Sequence, residues 1–355
     1  MPNPLVSVCI PTYHRPAFLR DTVQTILSQD YAPFDVLISD NGADEETTSF
    51  CEALVRSDSR VRYVRHPRNI GMHANHNFCI EQSRGEFLCF FHDDDLYAPQ
   101  ILSTYVAFLK AHPEAGIVCS DWELINGAGE RIGLRTARAE RVTPGLVYLD
   151  RTIRSGRSSI GCPGALIRRS ALGSIRFDEQ GPPGFGDFVV WFQIAERWAV
   201  GHLTQRLWRY RLHGRNVSCR TIESIVRDYD QVLIAYCDGH LARWPAHGRL
   251  VARWRRAIRQ YLFWALAYEL GLHFRQGDAQ SVAPSSARTV FEVVAYRLTP
   301  EQLHDAQRQL RTYRTGVVQT AALVAMHGLI DLHLTQPLAW ATRHAALVRG
   351  LLGLR

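Results

Sequence analysis

Lysine is almost absent from this chain of 355 residues, where Lys110 is the single example and arginine carries nearly all of the positive charge. The formal net charge of +7 favours an anionic partner such as a nucleotide, a nucleic acid or an acidic membrane surface. An arginine bias this uniform can also follow from coding composition. No run approaches the ~20 consecutive apolar residues that a membrane span needs, so the sequence predicts no transmembrane helix.

A C-x-x-C pair is also missing among the eight cysteines, which argues against a zinc ribbon or a dithiol redox motif. Cys9 and Cys89 lie inside apolar runs, where a thiol behaves as a small buried hydrophobe. The chain begins with a strand-like run rather than a charged leader followed by a cleavage site. We therefore expect reduced thiols and a cytoplasmic protein.

Short apolar runs alternate with helical patterns over the first 120 residues. The spacing predicts strands at 5–10, 34–39, 61–64, 86–91 and 116–120, and helices at 15–29, 45–56, 71–83 and 96–111. This alternation indicates βαβ units and a mostly parallel sheet, whose ligands bind at the carboxyl ends of the strands. A hairpin over 123–132 and a helix over 187–198 are predicted next, and helical spacing dominates beyond residue 220.

Three adjacent carboxylates, Asp93, Asp94 and Asp95, directly follow the most apolar of these predicted strands. Their mutual repulsion requires a counter-charge. Mg²⁺ or Mn²⁺, which prefer oxygen ligands, would supply it and attract phosphates. The alternative is a solvated acidic turn that caps the next helix, and the triplet alone does not decide between the two.

Six motifs in a fixed order carry a family resemblance. They are VSVCIPTYHR (6–15), SDNGADEET (39–47), RNIGMHANHN (68–77), GEFLCFFHDDD (85–95), GDFVVWFQIAERW (186–198) and YRLHGRNVS (210–218). In this order they resemble glycosyltransferase family 2 over about residues 4–220. The resemblance implies an inverting enzyme with the α/β GT-A fold, a Rossmann-like mixed sheet that binds nucleotide sugars.

The resemblance and the helical pattern together divide the chain. A GT-A catalytic domain is expected over 1–220, with the nucleotide-sugar half at about 1–120 and the acceptor half at about 121–220. An all-α extension, which the resemblance does not cover, is expected over 221–355.

The nucleotide-sugar site implied by the resemblance lies at the ends of the predicted strands. Its residues are Pro11, Thr12, Tyr13, Arg15, Asp40, Asn41, Arg68, Asn69, Asn75 and Asp93. Family members carry acidic residues where Asp40 and Asn41 stand, and the Asn41 carbonyl can still accept a hydrogen bond from a base. This departure leaves the base open, with UDP- and dTDP-sugars favoured. A strand-ending turn at Pro11 and an Asx turn at Asp40 are the alternative readings.

Alignment with the family's acid–any–acid metal triplet places His92, Asp93 and Asp94 there, so His92 replaces its first acid. A shift by one residue would place Asp93 first. The resemblance implies that Asp94, Asp95 and His213 ligate Mn²⁺ or Mg²⁺. A helix cap is the alternative for Asp95, and a structural hydrogen bond is the alternative for His213.

The resemblance assigns the general base to Asp187, which would deprotonate the acceptor hydroxyl as it attacks the anomeric carbon. The family often has glutamate before this aspartate, where this chain has Gly186. A helix N-cap is the alternative for Asp187. Gly164 and Trp191 are implied near the acceptor, with a plain turn and core packing as their alternatives.

These residues predict a metal-dependent inverting glycosyltransferase. It would move a sugar from a nucleotide-diphosphate sugar to a hydroxyl of a glycan, a lipid-linked glycan or another small acceptor, in bacterial surface polysaccharide or glycoconjugate synthesis. A nucleotidyltransferase is one alternative, although the chain lacks an early phosphate loop with glycine and lysine. A catalytically inactive sugar-nucleotide-binding module is another.

The acidic strand ends argue against a nucleic-acid partner. The C-terminal helices include an amphipathic stretch at 338–355. They would pack on the catalytic domain, form a homo-oligomer, or touch the inner face of the membrane peripherally.

Overall fold

The computed structural model describes residues 3–42, 44–136, 140–155, 158–182, 184–214, 216 and 222–258. The described residues fall into two compact units, one of 3–152 with 158–216 and one of 153–155 with 222–258. The predicted helices beyond 258, including the amphipathic stretch 338–355, lie outside the described residues.

The first unit is built on a mixed β-sheet. Its strands are β1 (Val6–Thr12), β2 (Phe34–Asp40), β3 (Val61–Arg65), β4 (Phe87–Phe90), β5 (Leu96–Tyr97), β6 (Ala115–Asn126), β7 (Arg131–Arg135), β8 (Arg141–Thr143), β9 (Ala165–Arg168) and β10 (Ala199–Leu212). In space they run β3-β2-β1-β4-β9-β6-β10-β5, with β7 beside β6 and β8 beside β10.

The direction of the strands changes at β9. Strands β1 to β4 pair in parallel, whereas β9 is antiparallel to both β4 and β6. Strand β10 then runs parallel to β6. The predicted parallel arrangement is confirmed for the first four strands, and the sheet is mixed beyond them because β9 reverses direction.

The described helices include the predicted ones, and two further helices between residues 145 and 172 were not predicted. The helices are α1 (Pro16–Leu27), α2 (Glu45–Ser57), α3 (Met72–Gln82), α4 (Ile101–Ala111), α5 (Gly145–Ser155), α6 (Arg169–Leu172), α7 (Gly186–Ala195) and α8 (Ile222–Arg243), with 3₁₀ turns at Cys162–Gly164 and Pro245–His247. Proline in the first turn starts α1 because its fixed φ suits that position. The Asp44 side chain caps α2 by accepting from the Thr47 amide at 2.7 Å.

One predicted helix starts later than expected. The spacing predicts a helix from residue 96, but Leu96 and Tyr97 form β5, which pairs antiparallel with β10, and α4 begins at Ile101. Pro99 also disfavours a helical conformation at the residue before it. The helix-cap alternative for Asp95 is therefore wrong, because no helix begins there.

The centre of the sheet is covered on both faces. All four residues of β4 are buried, and Val6, Val8 and Ile10 of β1 have no exposed surface. The sequences of central parallel strands that are buried on both faces are near-continuous apolar runs. Both strands are therefore recognisable from the sequence. The loops that leave β1 and β4 therefore start from a rigid frame.

The second unit contains α8 and a helical segment at 248–258. Trp254 and Ile258 are fully buried in it, and His240 Nε2 lies 3.0 Å from His247 Nδ1. Within the described part of the chain, no helix is both long enough and apolar enough to cross a membrane.

Candidate active site

The ends of three neighbouring strands bring the predicted nucleotide residues to one edge of the sheet. Strand β1 is hydrogen-bonded between β2 and β4, and Thr12 at its end is the register partner of Asp40 at the end of β2. Because the carboxyl ends of parallel strands share one edge, the segments after β1, β2 and β4 leave the sheet together. The acidic triplet follows β4 at this edge after Phe91 and His92.

The acidic triplet is not a solvated turn. The exposed fractions of Asp93, Asp94 and Asp95 are 3%, 3% and 0%. Carboxylates this deeply buried need charged or hydrogen-bonding partners, because an isolated buried charge is very costly. The alternative of an exposed acidic turn is therefore wrong for this chain.

Asp93 is held by the loop that follows β1. Its Oδ2 accepts a hydrogen bond from Thr12 Oγ1 at 2.6 Å, and its Oδ1 accepts from the Arg15 guanidinium at 3.1 Å. Burial, together with the neighbouring charge of Asp94, raises the pKa of Asp93 to about 6. The predicted residues Thr12, Arg15 and Asp93 thus lie in direct contact.

Asp94 accepts hydrogen bonds from two basic side chains that are far from it in sequence. Its Oδ2 accepts from Arg15 at 2.8 Å and from His213 Nε2 at 2.9 Å. Burial acts to raise its pKa, but the hydrogen bond from His213 and the nearby positive charges hold that pKa below its usual value. Asp94 Oδ1 is buried and has no hydrogen-bond partner among the described residues.

Asp95 is anchored to the backbone of β10. Its Oδ1 accepts from the Arg211 amide at 2.8 Å, and its carbonyl oxygen accepts from Thr22 Oγ1 at 2.7 Å. Burial raises the pKa of Asp95 well above its usual value. Its Oδ2 is a second buried oxygen that lacks a partner within the described chain.

The two unpartnered oxygens fit a hard divalent cation. Ligand atoms of His92, Asp94 and Asp95 all lie within 4.8 Å of one another. Carboxylate oxygens are the ligands that Mg²⁺ prefers, and Mn²⁺ accepts them readily. His213 belongs to this group through its hydrogen bond to Asp94. Its role as a direct ligand stays a prediction.

Arg211, near the end of β10, contacts the acidic triplet. It is only 4% exposed. Its Nε donates to the Asp94 carbonyl oxygen at 2.8 Å and one terminal nitrogen donates to the Gly127 carbonyl at 3.1 Å. Asn216, which sequence analysis missed, links the Arg211 carbonyl to the His213 amide. The YRLHGRN motif thus donates hydrogen bonds to the segment Asp93–Asp95, which we call the acidic loop.

Asp40 and Asn41 form local turns at the end of β2. Asp40 accepts from the Gly42 amide and the Tyr63 hydroxyl, each at 2.8 Å. Asn41 Oδ1 accepts from the Ile70 amide at 2.8 Å, and its amide group donates to Asn69 Oδ1 at 2.9 Å. A carbonyl oxygen has two lone pairs, so Asn41 keeps one acceptor position for a base.

The other predicted nucleotide residues divide into exposed and buried ones. Tyr13 is 49% exposed and Arg68 is exposed too. Pro11 is half-buried within β1. Asn75 is only 2% exposed and binds Ser39, donating to its carbonyl oxygen at 3.0 Å. Asn75 therefore packs against β2, and a contact with the nucleotide stays a prediction.

Asp187 lies in the first turn of α7. The N-cap of this helix is Phe185, so the N-cap alternative for Asp187 is wrong. Burial raises the pKa of the Asp187 carboxyl to about 6, against hydrogen bonds from backbone amides that lower it. A carboxylate with such a pKa is ionised at neutral pH and still a better base than an exposed one.

The departure from the family at Gly186 has a steric reason. A Cβ at this position would collide with Nε2 of His73. His73 is fixed there because its Nδ1 donates to the Asp178 carbonyl oxygen at 2.7 Å. The sequence showed the glycine but gave no signal that an imidazole from α3 takes the space beside the candidate base.

The two predicted acceptor residues lie against tryptophan rings or inside the core. A Cβ at Gly164 would collide with the ring of Trp208, which stacks on Trp122 with centroids 4.8 Å apart. Trp191 is fully buried, and its Nε1 has no hydrogen-bond partner among the described residues. Core packing is thus what the structure shows for Trp191, and contact of either residue with an acceptor stays a prediction.

The sheet order and its acidic edge define the class of the fold, that of the GT-A transferases. Crystal structures of S. aureus TarS 1–349 with UDP-GlcNAc and of the mannosyltransferase PcManGT from Pyrobaculum calidifontis with GDP-Man and Mn²⁺ resemble it, with TM-scores of 0.55 and 0.53. Sequence identities are 18% and 16%. The matches cover 93% and 92% of this chain and 91% and 87% of those chains.

Part of the chain also matches a sequence family. Residues 7–176 match the family model for glycosyl transferase family 2, which confirms the resemblance over that segment. A GalNAc(5)-diNAcBac-PP-undecaprenol beta-1,3-glucosyltransferase from Campylobacter jejuni is 31% identical over 102 residues, or 28% of this chain and 33% of that protein. A putative colanic acid biosynthesis glycosyl transferase from Escherichia coli is 31% identical over 107 residues, or 30% of this chain and 38% of that protein. The chain thus spans only about a third of the length of these curated relatives.

Proposed function

We propose that the chain is a metal-dependent inverting glycosyltransferase that uses a UDP- or dTDP-type sugar donor. The observation that carries the proposal is the pair of buried oxygens, Asp94 Oδ1 and Asp95 Oδ2, left without partners in the described chain. They lie where a GT-A sheet ends, within the segment that matches glycosyl transferase family 2. Neither feature is expected of an inert acidic turn, since buried carboxylate oxygens normally have partners.

The donor would bind across the ends of β1, β2 and β4. Tyr13 is exposed at this edge, and its ring offers a face on which a nucleobase can stack. Asn41 keeps one acceptor position for a base N–H. Arg68 is exposed and makes no ion pair with any described residue, so its charge is available to the diphosphate.

The acidic loop would bind the metal ion that assists departure of the nucleoside diphosphate. Asp94 and Asp95 would hold Mn²⁺ or Mg²⁺, which neutralises the charge that develops on the leaving diphosphate. Arg211 and His213 keep the two carboxylates in position through the contacts described above. Thr12 and Arg15 orient Asp93. Residues at the ends of β1, β4 and β10 therefore contribute to one site.

Proton transfer from the acceptor would fall to Asp187. An inverting transfer needs a base that removes the hydroxyl proton as the acceptor oxygen attacks the anomeric carbon. Burial gives this carboxyl a pKa of about 6. At neutral pH most molecules therefore carry the ionised base.

The acceptor we propose is a glycan, a lipid-linked glycan or another small hydroxyl compound. The printed name of the C. jejuni relative includes an undecaprenol-diphosphate-linked glycan, and that of the E. coli relative includes colanic acid biosynthesis. These names support a role in surface polysaccharide or glycoconjugate synthesis. We place that role in the cytoplasm or at the inner face of the membrane as part of the proposal. Peripheral membrane contact and homo-oligomer formation through 221–355 remain part of this proposal.

The test is a thermal-shift screen of the protein with UDP-, dTDP- and GDP-sugars, each with and without Mn²⁺. A true donor raises the unfolding temperature because it binds only the folded state. We expect one UDP- or dTDP-sugar to stabilise in the presence of Mn²⁺ only. Stabilisation by nucleoside triphosphates instead would favour a nucleotidyltransferase, and no response to any nucleotide would contradict the proposal.

A further inference from the structure

Three side chains from separate elements converge beside the acidic loop, and one of them, His92, also has a ligand atom within 4.8 Å of those of Asp94 and Asp95. His76 comes from α3, His92 follows β4, and Cys162 opens the 3₁₀ turn before β9. One ligand atom from each of these side chains lies within 4.8 Å of the other two. Within the described chain, no group hydrogen-bonds to the His92 ring or to the Cys162 thiol. One possible ligand atom from each of the three side chains therefore lies in the same small region of the first unit.

The tautomer of His76 is fixed by its own helix. His76 Nδ1 lies 2.8 Å from the carbonyl oxygen of Met72, one turn earlier, and a carbonyl oxygen only accepts. Nδ1 therefore carries the hydrogen, and Nε2 presents its lone pair. Histidines that bind metals usually donate their second ring nitrogen to a backbone carbonyl in this way, which sets the direction of the lone pair.

The His76 ring is also held from both sides. Its centroid lies 5.0 Å from the Phe90 ring and 4.9 Å from the Phe177 ring. Burial lowers the pKa of His76 to about 3, so the ring is neutral and can act as a ligand. The ring thus has the orientation and charge of a metal ligand before any ion binds.

We infer that His76, His92 and Cys162 form a binding site for a borderline-soft divalent cation such as Zn²⁺. Two imidazole nitrogens and a thiolate favour Zn²⁺, whereas Mg²⁺ and Mn²⁺ favour the oxygens of Asp94 and Asp95. Three protein ligands leave one tetrahedral position for water. Coordination releases the thiol proton to solvent, since a thiol bound to Zn²⁺ is deprotonated.

Such an ion would connect parts of the first unit that are far apart in sequence. It would link α3 and the end of β4 to the Cys162 turn, whose neighbour Gly164 packs on Trp208. The Cys162 turn would then be fastened to the nucleotide half. Loss of the ion is expected to loosen this turn without removing the oxygen ligands of the acidic loop.

The direct test titrates the metal-free full chain with Co²⁺, which replaces Zn²⁺ and gives a thiolate-to-cobalt absorption band. We expect one equivalent of Co²⁺ to produce the band and added Zn²⁺ to abolish it. Cys162→Ser should remove the band, and His76→Ala should weaken Co²⁺ binding by at least about tenfold. Cys51→Ala and His112→Ala are the matched controls and should titrate like the wild type.

A further variant separates the two cation sites. Asp94→Asn should leave the thiolate band unchanged, because Asp94 belongs to the oxygen group alone. A wild-type titration without a thiolate band, or a band that survives in Cys162→Ser, would overturn the inference.

If Cys162→Ser fails to fold, the wild-type chain still gives an answer. Peptide mapping after alkylation should show that Zn²⁺ protects Cys162 and changes no other cysteine. Equal alkylation of Cys162 with and without Zn²⁺ would overturn the inference as well.

Discussion

The two halves of the first unit satisfy their polar groups differently. In the half built on β1 to β4, the polar contacts at the strand ends stay within that half, from a separation of 2 residues for Asp40 and Gly42 to one of 81 for Thr12 and Asp93. In the half that ends with β10, the partners reach far back along the chain. Arg211 and His213 bind Asp95 and Asp94 across 116 and 119 residues. The acidic loop follows β4 in the sequence, but β10 and the residues after it supply hydrogen bonds that fix its carboxylates. Its geometry therefore depends on the whole fold of the unit.

The sharpest way to separate the halves is to remove the candidate base from the acceptor half. Asp187→Asn should lower the transfer rate by roughly 10²–10⁴-fold, because general base catalysis contributes about that much. Donor affinity should stay within a factor of two or so, since the change leaves the acidic loop intact. Turnover and calorimetric donor binding measure the two effects. Asp178→Asn, which changes a nearby exposed carboxylate, is the control. Transfer by Asp187→Asn at the wild-type rate would show that Asp187 is not the general base.

The complementary change removes the cation ligand from the nucleotide half. Asp94→Ala should weaken Mn²⁺-dependent UDP binding by about 10–100-fold, the range that changes around metal sites commonly cost. Transfer should be lost with it. Isothermal titration with and without Mn²⁺ measures the change, and Asp58→Ala, which alters an ion pair with Arg60 outside the site, serves as control. Unchanged Mn²⁺-dependent affinity would show that Asp94 is not a ligand.

The pH dependence of transfer tests the base when donor binding is followed in parallel, because the pKa of Asp93 in the acidic loop is also raised to about 6. Burial raises the pKa of Asp187 to about 6. The active form is the ionised carboxylate, so kcat/KM should be level at neutral pH and fall below pH 6 by about tenfold per unit. The profile is measured at saturating Mn²⁺, with donor binding followed in parallel. A level profile down to pH 5 would exclude Asp187 as the base.

The smallest effect is expected at the contact between α3 and α7. Gly186→Ala should destabilise the protein by about 1–3 kcal/mol, because its methyl group collides with His73 Nε2. His73→Ala makes room, so the double variant should recover part of that loss, with a coupling of about 0.5–3 kcal/mol. Urea unfolding of the two single variants and the double variant measures the coupling. Strictly additive losses would mean that the two side chains do not share this space.

Periodicity and strand-end chemistry predicted much of the nucleotide half. The runs at β1, β2 and β4 are buried on both faces, so they stand out in the sequence, and the polar residues that follow them are local signals. Thr12, Arg15 and Asp93 were proposed together and are in contact. Strand β5 was missed because Leu96 and Tyr97 are extended only through pairing with β10.

Long-range contacts account for the rest. Nothing near Arg211 in the sequence announces a buried side chain under the acidic loop, since its partners Asp94 and Asp95 come from another motif. The reason for Gly186 likewise lies in α3, more than one hundred residues earlier. The convergence of His76, His92 and Cys162 has no spacing rule, because three different elements contribute one residue each.

The late completion of the acidic loop has a consequence for fragments of this protein. A shortened chain that ended at residue 176, where the family match stops, would contain the whole acidic triplet. It would lack Arg211 and His213, which supply the hydrogen bonds that hold Asp95 and Asp94. During synthesis on the ribosome, the loop likewise stays incomplete until the YRLHGRN segment has emerged. Any minimal catalytic fragment made for crystallography or engineering must therefore extend at least to Asn216.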